Sequence, residues 1–329
     1  MRSATLPAAL AGLLLLTACG TEQAGGGPSA PSATAAGCAA RPGDGSTEDG
    51  VTITGMGAKG TGTGTGTGAG AGKGTGTGTG AGTGPSTGAG QSGATATAGQ
   101  TDPCAEYTVT SAETEPFTYT IAFSFLTASG QAMTTVEETV PAVAPGKTVR
   151  RTVTAADVPP DAAAGGRFEI LTVRRVPTAE APSESGPCPP SGVRVYADDG
   201  DSAMGLRVVG LHLENCGTAP YELNGYPRIG LADEDREPVD GVELLQGGER
   251  IAGATGMEGP ARPLVLAPGE RAYSGLVWRN TVEAGEPVNA PYARVRAKPG
   301  AAPVMVTPEL DLGTTGKLGI GPWKKDGTR

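Results

Sequence analysis

The residues of this chain that could do chemistry are few and widely spaced. There is one histidine, His212. General acid–base work needs a group that titrates near neutrality, or paired carboxylates in a cleft, and a partner that orients it. His212 sits between Leu211 and Leu213 with no nucleophile or acid beside it, so a structural or exposed sheet position is expected rather than a catalytic one. Asp198, Asp199 and Asp201 crowd the stretch ADDGDSAMG and could offer carboxylates to calcium. Their spacing departs from the D-x-D-x-D-G loop, and a polar hairpin turn explains the same letters. Two glycine motifs match by composition alone. Gly55, Gly57 and Gly60 satisfy G-x-G-x-x-G, and Gly84, Ser86 and Gly88 satisfy G-x-S-x-G. A dinucleotide site needs a helix start to meet the pyrophosphate, and a nucleophile elbow needs a strand, a turn and a helix. Thr-Gly repeats supply neither, and Lys73 lacks the flanking residues of a phosphate loop.

Five cysteines remain, an odd number, with no C-x-x-C pair. One of them belongs to the N-terminus. Arg2 precedes an apolar run from Ala8 to Leu16 that is too short to cross a bilayer, which takes about 20 residues. Leu16-Thr17-Ala18 then offers small residues ahead of Cys19. This is the layout of a signal peptide, and its end resembles the lipobox of bacterial lipoproteins. The resemblance implies that Cys19 is acylated and anchors the chain to the membrane, two acyl chains being enough for stable attachment. Without Cys19 the cysteines are even: Cys38, Cys104, Cys188 and Cys216. An exported setting favours disulfides. Three connectivities fit; Cys38 with Cys104 and Cys188 with Cys216 is favoured, because each pair brackets one folded unit. A zinc site is not expected, and no cofactor is.

The elements that would position these residues are unevenly distributed. The chain has 55 glycines and 28 prolines but only 4% aromatics, with the glycine concentrated between residues 55 and 103 in GTGTGTGTGAGAGKGTGTGTGAGTG and its flanks. Such a tract buries nothing and should be disordered. The expected organisation is a signal peptide (1–18), a tether (19–37), a first strand (38–54), the Gly/Thr insertion (55–103), an N-terminal β-sandwich (104–178), a linker (179–187) and a C-terminal β-sandwich (188–325). The clearest strand is FTYTIAFSF, 117–125, whose aromatic and aliphatic residues alternate with Thr, Ala and Ser. Further strands are expected at 106–110, 136–140, 148–153, 169–175, 193–197, 206–214, 221–223, 228–232, 271–278, 293–297 and 303–306. Helical periodicity is nowhere evident. VTSAETEPF (109–117) lines up with LENCGTAPY (213–221), and VAPGKTV (143–149) with LAPGERA (266–272). The fold class is therefore all-β: two immunoglobulin-like antiparallel sandwiches after a signal peptide and a Gly/Thr-rich region.

Three C-terminal stretches carry a further resemblance: GLRVVGLHLENCGTAPYELNGYPRIGLAD, LVLAPGERAYSGLVW and ELDLGTTGKLGIGPW. Together, from Cys188 to Trp323, they resemble a C-terminal domain of unknown function in actinobacterial secreted lipoproteins. The resemblance implies an immunoglobulin-like sandwich outside the cell and brings no activity. Many members carry another cysteine pair nearer the C-terminus, which nothing after Cys216 matches. Tyr221 stands where many place a cysteine.

A net charge of −9 without a basic cluster excludes nucleic acid as a partner. Tyr226 and Trp278 are candidates for a ligand patch, although scarce aromatics more often fill cores. No βα alternation supports a two-lobed solute-binding protein. The expected role is a non-catalytic lipoprotein on the extracytoplasmic face of the membrane, its modules binding a cell-wall polysaccharide or envelope protein, or serving structure. Calcium-dependent or small-ligand binding is the alternative and a hydrolase the lesser one. Cys19→Ser should release the protein into the medium or leave its precursor unprocessed; a mutant that still fractionates with carbonate-washed membranes would refute the anchor.

Overall fold

A computed structural model describes Cys38, residues 41–60 and residues 101–327. The expected signal peptide, Cys19, the expected tether and the tract from 61 to 100 lie outside the described residues. The N-terminal half is built from β1 (Arg41–Pro42), β2 (Thr47–Glu48), β3 (Val51–Gly60), β4 (Thr101–Thr110), β5 (Phe117–Leu126), β6 (Ala132–Val143), β7 (Thr148–Thr154), the single helical turn α1 (Pro160–Ala163) and β8 (Arg167–Pro177). One sheet runs β1-β3-β4-β7 with β2 beside β3, and a second runs β6-β5-β8. Their inner faces close on one core, with Val51, Ile53, Tyr107 and Val109 from the first sheet and Tyr119, Ile121, Phe123 and Val140 from the second. In β5 Phe117, Tyr119, Ile121, Phe123 and Phe125 are all buried as expected, and Thr118 and Ser124 on the other face are buried too, so only Thr120 and Ala122 show the expected half-exposed face.

Strands β3 and β4 correct the expected insertion. They pair without a break from Met56↔Ala105 to Gly60↔Thr101. Residues 55–60 and 101–103 are therefore strand, not insertion. Glycine disguises them, because backbone pairing on a neighbour needs no apolar alternation. Cys38 bonds Cys104 in this hairpin.

The C-terminal half follows a 3-10 turn at Thr178–Glu180. It contains β9 (Val193–Ala197), β10 (Asp201–Ala203), β11 (Leu206–Asn215), β12 (Tyr221–Leu223), β13 (Arg228–Ala232), β14 (Glu243–Gln246), β15 (Leu264–Leu266), β16 (Arg271–Arg279), β17 (Val288–Ala290), β18 (Tyr292–Arg296), β19 (Val304–Val306), β20 (Leu310–Gly313), β21 (Lys317–Ile320) and β22 (Lys324–Lys325). A seven-stranded sheet has the order β10-β11-β16-β21-β14, with β9 also on β11 and β22 also on β16. Its opposing layer is the sheet β13-β18-β19 with the pairs β12–β15 and β17–β20. One core joins them, from Leu211, Leu213, Leu276 and Trp278 to Ala293, Val295 and Leu310. The pair β14–β21 is parallel, a departure from the expected antiparallel pattern. Cys188 bonds Cys216 across a separation of 28 residues, for which chain entropy is worth about 3 kcal/mol.

The internal repeat is structural. In each half an Ala-Pro-Gly turn, with its glycine at φ 65° and 82°, is clasped to the last residue of the neighbouring strand region. Ser111 receives the Gly146 N–H on its carbonyl and donates its own N–H to Lys147 O. Asn215, its aligned counterpart, receives Gly269 N–H and donates to Glu270 O. The Ser111 and Asn215 side chains also each accept the N–H two residues on, at 3.3 and 3.2 Å.

The proline-rich segment between the halves is docked rather than free, and the described residues form one compact unit. Val176 from β8 packs with Ala232, Tyr292 and Met305, and Ala181 leans on them. Around this plug Arg174 binds Glu234 and Glu309 (2.9 and 2.8 Å), and Arg175 binds Asp49 and Glu113 (3.1 Å each). Arg236 reaches Glu113 at 2.9 Å and lies over the Phe117 ring.

Asn215 is 1% exposed and donates to both Ala219 O and Leu266 O. Asn215→Ala should orphan the buried Leu266 carbonyl and cost about 2–3 kcal/mol, whereas Ser111→Ala, with one weaker bond, should cost about 1 kcal/mol. Urea unfolding with disulfides intact checks this; equal small losses would show that the clasp adds little.

Candidate functional site

In β11 the residues alternate between core and surface. Val209, Leu211 and Leu213 point inward, and Gly210, His212 and Glu214 point out. Register then sets the outer neighbours: His212 lies between Tyr196 of β9 and Tyr273 of β16, and Lys324 of β22 pairs with Tyr273. The Tyr196 and His212 rings stack, with centroids 4.9 Å apart and planes 15° apart.

Asp198 closes the top of this stack. Its Oδ2 stands 3.0 Å from His212 Nε2, and its Oδ1 accepts the N–H groups of Gly210 (2.7 Å) and Gly200 (3.0 Å). Desolvation pushes the Asp198 pKa up, but the bonds from His212, Gly210 and Gly200 outweigh it and hold the carboxyl below its ordinary value. Two glycines permit the arrangement. A Cβ on Gly210 would stand 2.2 Å from Asp198 Oδ2, and Gly200, at φ +69°, would strike Val208 O at 2.4 Å.

The stacked pair is a wall between two clefts. On the His212 side a cleft of about 360 Å³ is lined by Asp198, Gly210, His212, Thr255, Met257 and Tyr273. Met257 comes from a loop whose Glu249 accepts the Gly259 N–H and whose Glu258 accepts the Thr255 hydroxyl. On the Tyr196 side a cleft of about 470 Å³ lies between the two sandwiches, lined by Tyr196, Asp198 and Asp199 from one and Thr120, Glu137 and Thr139 from the other. Desolvation there, and then the Asp199 carboxylate, push the Glu137 carboxyl above its ordinary value.

Chemically this is a hydrogen-bonding surface built around a stacked ring wall. Among the described residues no hydroxyl or thiol bonds to His212, and all four cysteines are in disulfides. Ser274, in the His212-side cleft, is 0% exposed and donates its hydroxyl to Gly321 O.

The structure does not assemble the calcium trio. Asp198 is spent on His212 and two glycines, Asp199 faces the inter-sandwich cleft, and Asp201 is exposed on β10. Among the described residues no three His, Cys, Asp or Glu side chains stand where they could hold a metal ion. The expected ligand patch is also corrected. Trp278 is 2% exposed in the core, its indole N–H donating to Asp311 Oδ1 at 2.7 Å, and Tyr226 is half-buried against the same core. Tyr196, Tyr273 and Met257 were not foreseen. The Tyr196-x-Asp198 spacing and the outward phase of His212 were readable, but the pairing of β9, β11 and β16 was not.

Residues 188–324 match the family model of a domain of unknown function, DUF4232. The wall lies within the matched residues, the cleft on its His212 side is lined by them and by Asp326 and Gly327 just beyond, and the second cleft lies between the matched residues and the N-terminal sandwich. A search of curated proteins finds no match to the chain.

Because the folded-state Asp198 pKa is depressed, the hairpin gains stability above the ordinary carboxylate value and loses it as pH falls through the lowered one. The Gly200 and Gly210 amide resonances should therefore titrate together below the ordinary aspartate range. Titration at the ordinary value would refute the three-bond arrangement. Gly210→Ala should displace Asp198 and shift the single histidine ring signal.

Proposed function

We propose that this protein is a non-catalytic binding body held on the extracytoplasmic face of the membrane by a lipid on Cys19. The observation that carries the binding reading is the Tyr196–His212–Asp198 wall, a hydrogen-bonded fixture at open clefts that has a base but no nucleophile to activate. Gly210 and Gly200 leave the room that the Asp198 carboxylate occupies. Both disulfides suit an oxidising, extracytoplasmic compartment, and no described helix is long and apolar enough to cross a membrane. The partner is an envelope component, a cell-wall polysaccharide or an envelope protein. Small-ligand binding is the second reading, favoured by the size of the His212-side cleft.

The sole histidine makes the test direct. Soluble Cys19→Ser protein is titrated with purified cell-wall polysaccharide fragments and with detergent-extracted envelope proteins, while the His212 ring signal is followed by NMR. A saturable shift is expected, with affinity weakened about tenfold or more by Tyr273→Ala. Binding that ignores Tyr273→Ala and Asp198→Asn alike would move the site elsewhere. Chemical conversion of the bound material would refute the non-catalytic reading.

A further inference from the structure

The two disulfides differ in how well they are covered. Cys38 and Cys104 are 6% and 1% exposed, at the β3–β4 hairpin. Cys188 is exposed, and its partner Cys216 is half-buried. Thiol–disulfide exchange requires an incoming thiolate to reach one sulfur of the bond, so access governs which disulfide reacts. Of the two bonds, the second offers that approach, at Cys188.

Cys188 sits in the middle of a strap that enters β9. Ser183 N–H donates to Val195 O at 3.2 Å, and Gly192 O accepts Gly217 N–H at 2.9 Å. Between these two points none of the residues from 184 to 191 is buried, and Glu184, Ser185, Gly186, Pro187 and Cys188 are all exposed. The Arg194 guanidinium reaches Gly186 O, and the Ser183 hydroxyl reaches Ser185 O at 3.1 Å. The covalent tie to Cys216 is the strongest hold on the strap. The end of β11 does not depend on that tie. Asn215 keeps its own bonds to Ala219 O and Leu266 O, and Val193, where β9 starts, pairs with Asn215. Opening the tie therefore loosens the strap and leaves β9, β11 and the ring wall in place. The start of the strap matters to the surface, because Pro182, Ser183 and Glu184 line the inter-sandwich cleft together with Tyr196 and Asp198.

We infer that the Cys188–Cys216 bond is a redox-sensitive tie, closed in an oxidising compartment and opened by a dithiol reductant, that sets the strap's side of the inter-sandwich cleft. A thiolate of the dithiol attacks Cys188 Sγ. The bond to Cys216 breaks, a mixed disulfide forms at Cys188, and Cys216 leaves as a thiolate that takes a proton from water. The second thiolate of the dithiol then attacks its own sulfur in the mixed disulfide and releases Cys188, which is protonated in turn. The protein disulfide is reduced to two thiols and the dithiol is oxidised to a cyclic disulfide. Cys38–Cys104 stays oxidised under its cover. The freed strap carries Glu184 out of the cleft.

The test uses the full chain with Cys19→Ser, so that no other thiol takes part. Under dithiothreitol without denaturant, with iodoacetamide pulses and peptide mapping, Cys188 and Cys216 should label at least about tenfold faster than Cys38 and Cys104. Equal rates, or labelling of Cys188 and Cys216 only in guanidinium, would overturn the accessible tie. NMR on the reduced, alkylated chain and on the Cys188→Ser/Cys216→Ser variant then reads what the tie holds. The backbone order parameters of Ser185 and Gly186 should fall below about 0.6, and the amide signals of Tyr196 and Thr139, on the two sides of the cleft, should shift. Protection of the Leu211 and Leu213 amides from hydrogen exchange should be unchanged. A strap that stays rigid, or cleft signals that do not move, would overturn the tie's hold on the cleft. Loss of protection through β11 in both samples would make the bond a structural staple and overturn the switch.

Discussion

Asn215 ends β11 with both arms of its amide engaged. Its Nδ2 donates to two carbonyls, its Oδ1 accepts Gly217 N–H, and its backbone closes the turn at Gly269. This fixes the register of β11 between β9 and β16. Because side chains alternate with period two, a slip of one residue would turn Leu211 and Leu213 to solvent and His212 into the core. The core is therefore the reason the outer surface is reliable. Burying Leu211, Leu213 and Leu276 stabilises by roughly 1.5–3 kcal/mol each, and the same register delivers His212 to Tyr196 and Asp198 at no additional ordering cost.

The interface between the sandwiches works against the charge of the molecule. The chain carries a net −9, and Asp199 and Glu137 face one another across the cleft. Arginine answers this around the plug, where Arg174, Arg175 and Arg236 each meet acidic partners. Arg174 is only 13% exposed at its side chain, so its pairs to Glu234 and Glu309 are partly shielded from salt, unlike an open surface pair. With a raised Glu137 pKa, the folded state takes up a proton more readily than the unfolded chain, so mild acid relieves the repulsion rather than adding to it.

Legibility followed alternation and turn signals. The expected strand at 193–197 matches β9, 221–223 matches β12 and 228–232 matches β13, and β5 gains one residue at its end. Each either shows alternation over several residues or starts from a clear turn. The strands at 243–246, 264–266, 310–313 and 317–320 carry four residues or fewer, too few for a period to show, and exist because a neighbour pairs with them. The first hairpin was obscured by its glycines. For the site, the sequence offered Asp198 and His212 as separate residues 14 positions apart; only the fold of β9 against β11 makes them partners. Trp278 went the other way, since an aromatic letter does not say which face of β16 it occupies.

The duplicated clasp explains why the halves join as they do. At Ser111 the clasp closes the end of the N-terminal sandwich, and Glu113, two residues on, receives Arg175 and Arg236. The aligned position in the C-terminal sandwich is Gly217, which has no side chain to receive an arginine. The position aligned with Phe117 is Tyr221, whose ring is covered by its own Lys298 at 4.0 Å. The same construction thus ends in a charged, aromatic seat on one copy and in a closed, self-satisfied end on the other.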